Sequence, residues 1–180
     1  MNVLSLIFAY LPSTGGAQRS VYNLSRELAR RGHSVAIAAN GVRLRYSTAE
    51  HAPLLSLPIP TAIRRNARER TSGAVRDAVN LPALAALCMR RSIDVVHCHL
   101  INMDTRYAVL LKRLLGVKVV ITLRGGELCH WIEGRPARRA YVQRMLESAD
   151  AVTALSRSQF ADAQALTSKL PNGPVVIHGL

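Results

Sequence analysis

The chain has 180 residues, 49% of them hydrophobic, with a mean hydropathy of +0.11; it is long and apolar enough to bury one core, which excludes an intrinsically disordered chain. Its formal net charge of +13 comes from 21 arginines and 3 lysines against 11 acidic residues, a balance that implies either an anionic partner or a solvated, arginine-rich surface. With two Phe, one Trp and five Tyr in all, the stacking platforms of single-strand binders are lacking, so no nucleic-acid partner is expected.

No apolar run reaches the roughly 18 residues needed to span a bilayer, and the opening MNVLSLIFAYLP lacks the basic start and small-residue cleavage site of a signal peptide. The three cysteines, Cys88, Cys98 and Cys129, are odd in number and lie in or near apolar segments, which fits a reducing compartment and a cytoplasmic location. Met1–Tyr10 is a continuous apolar run and predicts a strand buried on both faces. After the turn STGGAQR at 13–19, Ala17, Val21, Leu24 and Leu28 recur at helical spacing, and Arg30-Arg31-Gly32 supplies cations and a stop. Ser34–Ala39 predicts a second strand, and LLSLPIP at 54–60 a third that its prolines end.

Residues 61–92 read as helical in two pieces, the second opening at Leu81-Pro82, with Arg64, Arg65, Arg68, Arg70 and Arg76 on the first. Ile93–His99 is the fourth predicted strand; Asp104 is then expected to cap a helix through Leu115 that Gly116 closes. Val117–Leu123 follows as a strand, 136–148 as a helix with Pro136 in its first turn, and Asp150–Leu155 as a strand. Ser156-Arg157-Ser158-Gln159 has capping-box spacing and opens another helix, and Val175–His178 begins a last strand. Strands alternating with helices predict a single α/β domain over 1–180, Rossmann-like and doubly wound, with a mostly parallel sheet of about seven strands and helices on both faces.

In such a sheet ligands bind beyond the carboxyl ends of the strands, so the residues just after each strand are the candidates. Gly15 and Gly16 open the first helix, where free backbone N–H groups and the helix dipole suit a phosphate or carboxylate; a tight turn needing positive φ explains the pair equally well. The full G-x-G-x-x-G fingerprint is absent and the second strand ends in Ala38-Ala39-Asn40 without an acidic residue, against nicotinamide binding. His97 and His99 are two apart on a strand and share a face, with Cys98 opposite. His99, nearer the open end, suits a general base or a partner for a sugar hydroxyl, and His97 a supporting position one step deeper. A metal bound by His97, His99, Cys129 and His130 would match no zinc spacing, so no metal is expected. Arg124 can clamp a carboxylate or phosphate, Glu127 can accept from hydroxyls, and Ser156 is an N-cap that can also donate to an anion.

Taken in order, TGGAQRSVYNLSRELARRGHSVAIAA at 14–39, DVVHCHLINMDTRYAVLLKRLLGVKVVITLRGGE at 94–127, ADAVTALSRS at 149–158 and VVIHGL at 175–180 resemble the N-terminal domain of a GT-B glycosyltransferase of family 4, the group 1 transferases. The resemblance covers almost the whole chain. It implies a two-domain enzyme that moves a sugar from a nucleotide-sugar donor, its substrate, to a glycan or lipid-linked acceptor, with retention and without a bound metal or other cofactor. It further implies a catalytic role for His99, places Gly15 and Gly16 beside the donor diphosphate, and makes Gln18, Asn102, Arg124 and Glu127 candidate substrate-binding residues, with His97 and Ser156 behind them. Many relatives carry a histidine where Arg124 stands here. The family's donor site, with its Glu-x7-Glu motif, lies in a second, C-terminal domain that these residues do not contain. The chain is therefore expected to be an acceptor-side half, inactive alone, unless it pairs as a subunit with a separate donor-binding chain. Basic clusters at Arg64, Arg65, Arg68, Arg70 and at Arg135, Arg138, Arg139 make a peripheral position on an anionic membrane a further expectation. Another GT-B enzyme, such as a sugar-nucleotide epimerase, is the competing reading; it needs a carboxylate that only Glu127 or Asp104 could supply.

Overall fold

The computed structural model describes residues 1–10, 15–39, 54–56 and 73–171, and the chain divides into two compact units, Met1–Val95 and Val96–Leu180. Expectations that fall on 11–14, 40–53, 57–72 and 172–180 lie outside the described residues, among them Ser13 and Thr14 of the glycine turn, the arginines at 64, 65, 68 and 70 and the strand at 175–178.

The first unit contains β1 (Asn2–Ile7), α1 (Gly16–Arg30), β2 (Ser34–Ala39), β3 (Leu54–Ser56) and α2 (Gly73–Arg90). Its strands lie in the order β3-β2-β1, all parallel, with Val3 opposite Val35 and Ile37 opposite Leu54. All but the first residue of both β1 and β2 are buried, which is why these strands read as unbroken apolar runs rather than alternating ones. Val21 of α1 packs with Ile7, Tyr10, Val35, Ile37 and Ala39, and Ala17, Tyr22 and Leu28 border that cluster. The fully buried Ser25 on the same face turns its hydroxyl back to the carbonyls of Val21 and Tyr22, so its burial leaves no polar group unmet. Past Arg30 the chain closes in a Schellman motif: Gly32 at φ +81 donates to the Ala29 carbonyl at 3.0 Å and His33 to that of Leu28 at 3.0 Å.

The break expected at Leu81-Pro82 does not occur; α2 runs unbroken from Gly73 to Arg90 with Pro82 inside it. Proline removes one helical hydrogen bond, but Asn80, Leu84 and Cys88 are buried at four-residue intervals on both sides of it, and that packing holds the helix together. The end of α2 is tied to β1: Asn2 N–H donates to Asp94 Oδ2 at 2.7 Å, and Asp94 N–H to the Asn2 carbonyl at 2.9 Å.

The second unit carries β4 (Val95–His99, from Val96 onward), α3 (Thr105–Leu115), β5 (Lys118–Leu123), α4 (Pro136–Ser148), β6 (Ala151–Ala154) and α5 (Arg157–Leu166). Its strands lie in the order β4-β5-β6, with β5 and β6 parallel and Thr122 opposite Thr153. Val96, Cys98, Val119, Ile121, Leu123, Val152 and Ala154 are buried on the strands, as are Tyr107, Leu111, Val142 and Leu146 on the helices. Asp150 fixes the start of β6: its carboxylate accepts from Val119 N–H at 2.9 Å and pairs with Lys112 at 2.8 Å and Lys118 at 3.3 Å.

Asp104 is the residue before α3, as expected, but its side chain does not cap the helix. The Asn102 side chain instead shapes the turn that leads into the helix, its Oδ1 accepting from Asp104 N–H at 2.8 Å in a local Asx turn. Among the described residues no helix is long and apolar enough to cross a membrane.

Candidate active site

In the first unit the glycine turn is open. Gly15 is extended, with φ −157° and ψ 170°, and neither Gly15 nor Gly16 has a positive φ. The turn therefore does not require glycine for its backbone angles, which removes one of the two explanations for the pair. A Cβ on Gly16 would meet nothing within 4 Å, and one on Gly15 would meet only the tip of Gln18, 2.6 Å from Oε1. Gly15, the N-cap residue of α1, brings no side chain to cap it, and the first N–H groups of a helix have no partner within the helix itself.

The other candidates belong to the second unit and converge on the carboxyl ends of β4 and β5. His97 and His99 share a face, as their spacing predicts, and their rings stack with centroids 4.0 Å apart and planes tilted by 34°. Half-buried His97 holds Thr122 Oγ1 through Nε2 at 2.7 Å, and Thr122 in turn meets Thr153 Oγ1 at 2.8 Å. A polar ladder thus crosses three adjacent strands. His99 is 1% exposed, and the Arg124 Nη2 lies 3.3 Å from its Nδ1. Burial lowers the pKa of the Arg124 guanidinium, and the charge of Glu127 opposes that shift.

Glu127 is buried beside them and is committed to backbone. Its Oε1 accepts from Arg124 N–H at 2.7 Å, and the carboxylate also draws on the N–H groups of Glu127, Ile101 and Gly125. Burial raises its pKa, partly offset by those donors. The carboxylate thereby ties the loop after β4 to the loop after β5. Asn102 is similarly engaged: besides its side-chain bond to Asp104 N–H, its carbonyl accepts from Tyr141 Oη at 2.7 Å and its N–H donates to Thr105 Oγ1 at 3.0 Å.

Two backbone features frame these loops. Leu100, directly after His99, has φ +92°, a conformation a branched side chain rarely adopts. It is held by its N–H to the Thr122 carbonyl at 3.0 Å and by Thr105 Oγ1 to its own carbonyl at 3.3 Å. Gly125 has φ +113°, and a Cβ there would lie 3.0 Å from Gln159 Nε2. Ser156 is the N-cap of α5, accepting from Gln159 N–H at 3.2 Å, while Gln159 Oε1 accepts from Leu155 N–H at 3.1 Å. Beyond them, residues 126–134 wind in successive turns and, with α4 and α5, wall an open cavity of about 820 Å³ lined in part by Cys129, His130, Arg135, Arg139 and Asp162. Among the described residues no cluster of three or more His, Cys, Asp or Glu could hold a metal.

Leu100, Thr122, Thr153 and Tyr141 were not marked by their sequence pattern as site residues. A threonine at the same depth of two otherwise apolar strands is the one signal that pointed to the ladder, since a buried hydroxyl needs a partner.

Alternating β and α elements, with ligand-type side chains gathered past strand ends, define a Rossmann-like half of a GT-B fold. Solved structures agree. A sucrose-phosphate synthase segment from Thermosynechococcus elongatus superposes with a TM-score of 0.69 at 16% identity, covering 98% of this chain and 89% of that one. MurG of Acinetobacter baumannii gives 0.60 at 17% identity, over 88% of this chain and 42% of that one. A UDP-GlcNAc 2-epimerase from Neisseria meningitidis bound to UDP-GlcNAc gives 0.64 at 13%, over 97% and 46%. At these identities the likeness is one of fold, and the chain spans about half the length of MurG and of the epimerase. The sequence profile of Glycosyltransferase Family 4 matches residues 14–177, and the chain belongs to that family. No curated protein matches it in sequence.

Proposed function

We propose that this glycosyltransferase-type domain is the acceptor-side half of a retaining transferase that moves a sugar from a nucleotide-sugar donor to a glycan or lipid-linked acceptor, without a metal. One observation carries the reading: in a family 4 chain, a buried histidine and an arginine meet where β4 and β5 end. His99 is the expected catalytic residue. The start of α1, where Gly15 is the N-cap and Gly16 leaves room for close approach, suits the donor diphosphate, with Gln18 beside it. On this reading the 180 residues are inactive alone, and donor binding needs a second domain or a partner chain.

The test is sugar transfer by the full-length protein across a panel of nucleotide sugars. His99→Ala should lower kcat by about 100-fold or more with the circular dichroism spectrum unchanged. Activity of that variant within about threefold of wild type, on the scale expected for a lost catalytic group, would overturn the assignment, and transfer by residues 1–180 alone would overturn the dependence on a second domain. The epimerase reading is weaker because of its carboxylates: Glu127 is committed to backbone N–H groups and Asp104 is 1% exposed.

The proposed location is cytoplasmic, with a peripheral membrane contact as its sharper form. Arg138 stacks over the Trp131 ring at 5.4 Å, whereas Arg135 and Arg139 line the open cavity and are the better candidates for lipid headgroups. Liposomes containing anionic lipid should retain the protein at low salt and release it as salt rises; no retention at low salt rejects the membrane contact.

A further inference from the structure

The sequence leaves His99 two roles, general base or hydrogen-bond partner of a substrate oxygen, and the contacts of its ring choose between them. A guanidinium has five N–H donors and no acceptor. Because Arg124 can only donate, its Nη2 at 3.3 Å from His99 Nδ1 makes a hydrogen bond there with Nδ1 as an unprotonated acceptor. A neutral imidazole carries its single proton on the other nitrogen, so the proton is on Nε2. Three further features act in the same direction. The ring is 1% exposed, which disfavours an imidazolium. The adjacent guanidinium disfavours a second positive charge. The His97 ring stacked at 4.0 Å does the same whenever it is itself protonated.

The lock has a second side. His97 is held through Nε2 by Thr122, and Thr122 by Thr153, so the ring beneath His99 is fixed across three strands rather than free to rotate. Glu127 completes the arrangement from the backbone, holding Arg124 N–H at 2.7 Å and with it the place from which the guanidinium reaches His99.

We propose that Arg124 is a positioning residue that locks His99 in the neutral Nε2–H tautomer, with the Thr122–His97 contact fixing the ring below it. In that tautomer His99 carries its proton on Nε2 and cannot take a further proton at that nitrogen as a general base. The state of the ring does not depend on the transferase reading.

Long-range 1H–15N spectra of the uniformly 15N-labelled chain read the ring directly. The expected wild-type pattern at neutral pH is a protonated Nε2 and an unprotonated Nδ1 for His99, and a protonated Nδ1 would overturn the proposal without any variant. Arg124→Ala should convert the single pattern into a mixture of tautomers, and Arg124→Lys, which keeps a donor, should restore part of the preference. An unchanged pattern in a folded Arg124→Ala protein also overturns the proposal. Thr122→Val should leave the tautomer in place but broaden the His97 and His99 resonances; sharp, unshifted signals would remove the threonine from the lock. In the full-length enzyme, Arg124→Ala should lower kcat by about tenfold or more and change KM little, whereas loss of a direct substrate contact raises KM. If the spectra behave as stated but no nucleotide sugar is turned over, the transferase reading fails and the lock stands.

Discussion

The turn that opens α1 and the loops around His99 occupy the same kind of place, just past the carboxyl end of a strand, yet they are built in opposite ways. At Gly15-Gly16 the candidate site is open: neither glycine has a positive φ, Gly15 brings no side chain to the helix start, and a Cβ on Gly16 would meet nothing within 4 Å. Around His99 it is made by putting side chains in, with the Glu127 carboxylate on backbone donors, the Asn102 turn, and the Thr122–Thr153 ladder. On the proposed reading, the first arrangement would offer backbone N–H groups to a charged donor, and the second would hold a few polar atoms in place for the substrate.

Substitutions can break this contrast, beginning where the effect is largest. Glu127→Ala strips the acceptor from the N–H groups of Arg124, Gly125 and Ile101; a loss of about 3 kcal/mol is expected in urea unfolding, the scale of leaving buried donors unmet. A loss below about 0.5 kcal/mol, within the range of ordinary surface substitutions, would show that the loops hold without it. Gly125→Ala forces a side chain into φ +113° and against Gln159 and should cost about 1–2 kcal/mol by the same measurement. Gly16→Ala should do the reverse, raising stability by about 0.4–1 kcal/mol because the unfolded chain loses freedom and the helix loses nothing. If donor affinity depends on backbone approach there, the full-length enzyme should show a higher KM for the nucleotide sugar despite the gain. A stabilised variant with unchanged KM would detach the glycine turn from the donor.

The fold was legible where its signals are local. Pro136 at the first position of α4, and the glycine stops after α1 and α3, mark helix ends without reference to anything distant, and the predicted range 136–148 coincides with α4. β1 ends at Ile7 rather than Tyr10 because an apolar run continues past the last ladder bond; Tyr10 is buried core all the same. Pro82 misled because local propensity argues for a break, and burial on either side outweighs it. In the site, the shared face of His97 and His99 follows from the two-residue period of a strand. The contact of His99 with Arg124 depends on strand neighbours and register, which no local pattern carries. An acidic residue beside a glycine pair, such as Glu127, suits either a ligand's hydroxyls or a backbone clamp, and the clamp becomes visible only with the positions of the N–H groups.

Leu100 shows what such a constraint implies over time. Its φ of +92° disfavours the side chain it bears, and two hydrogen bonds, to the Thr122 carbonyl and from the Thr105 hydroxyl, restrain it. The end of β4 thus holds a residue against its own backbone preference, directly beside His99. Because the Leu100 amide donates to the Thr122 carbonyl, hydrogen exchange at this single N–H reports how often the strand end opens.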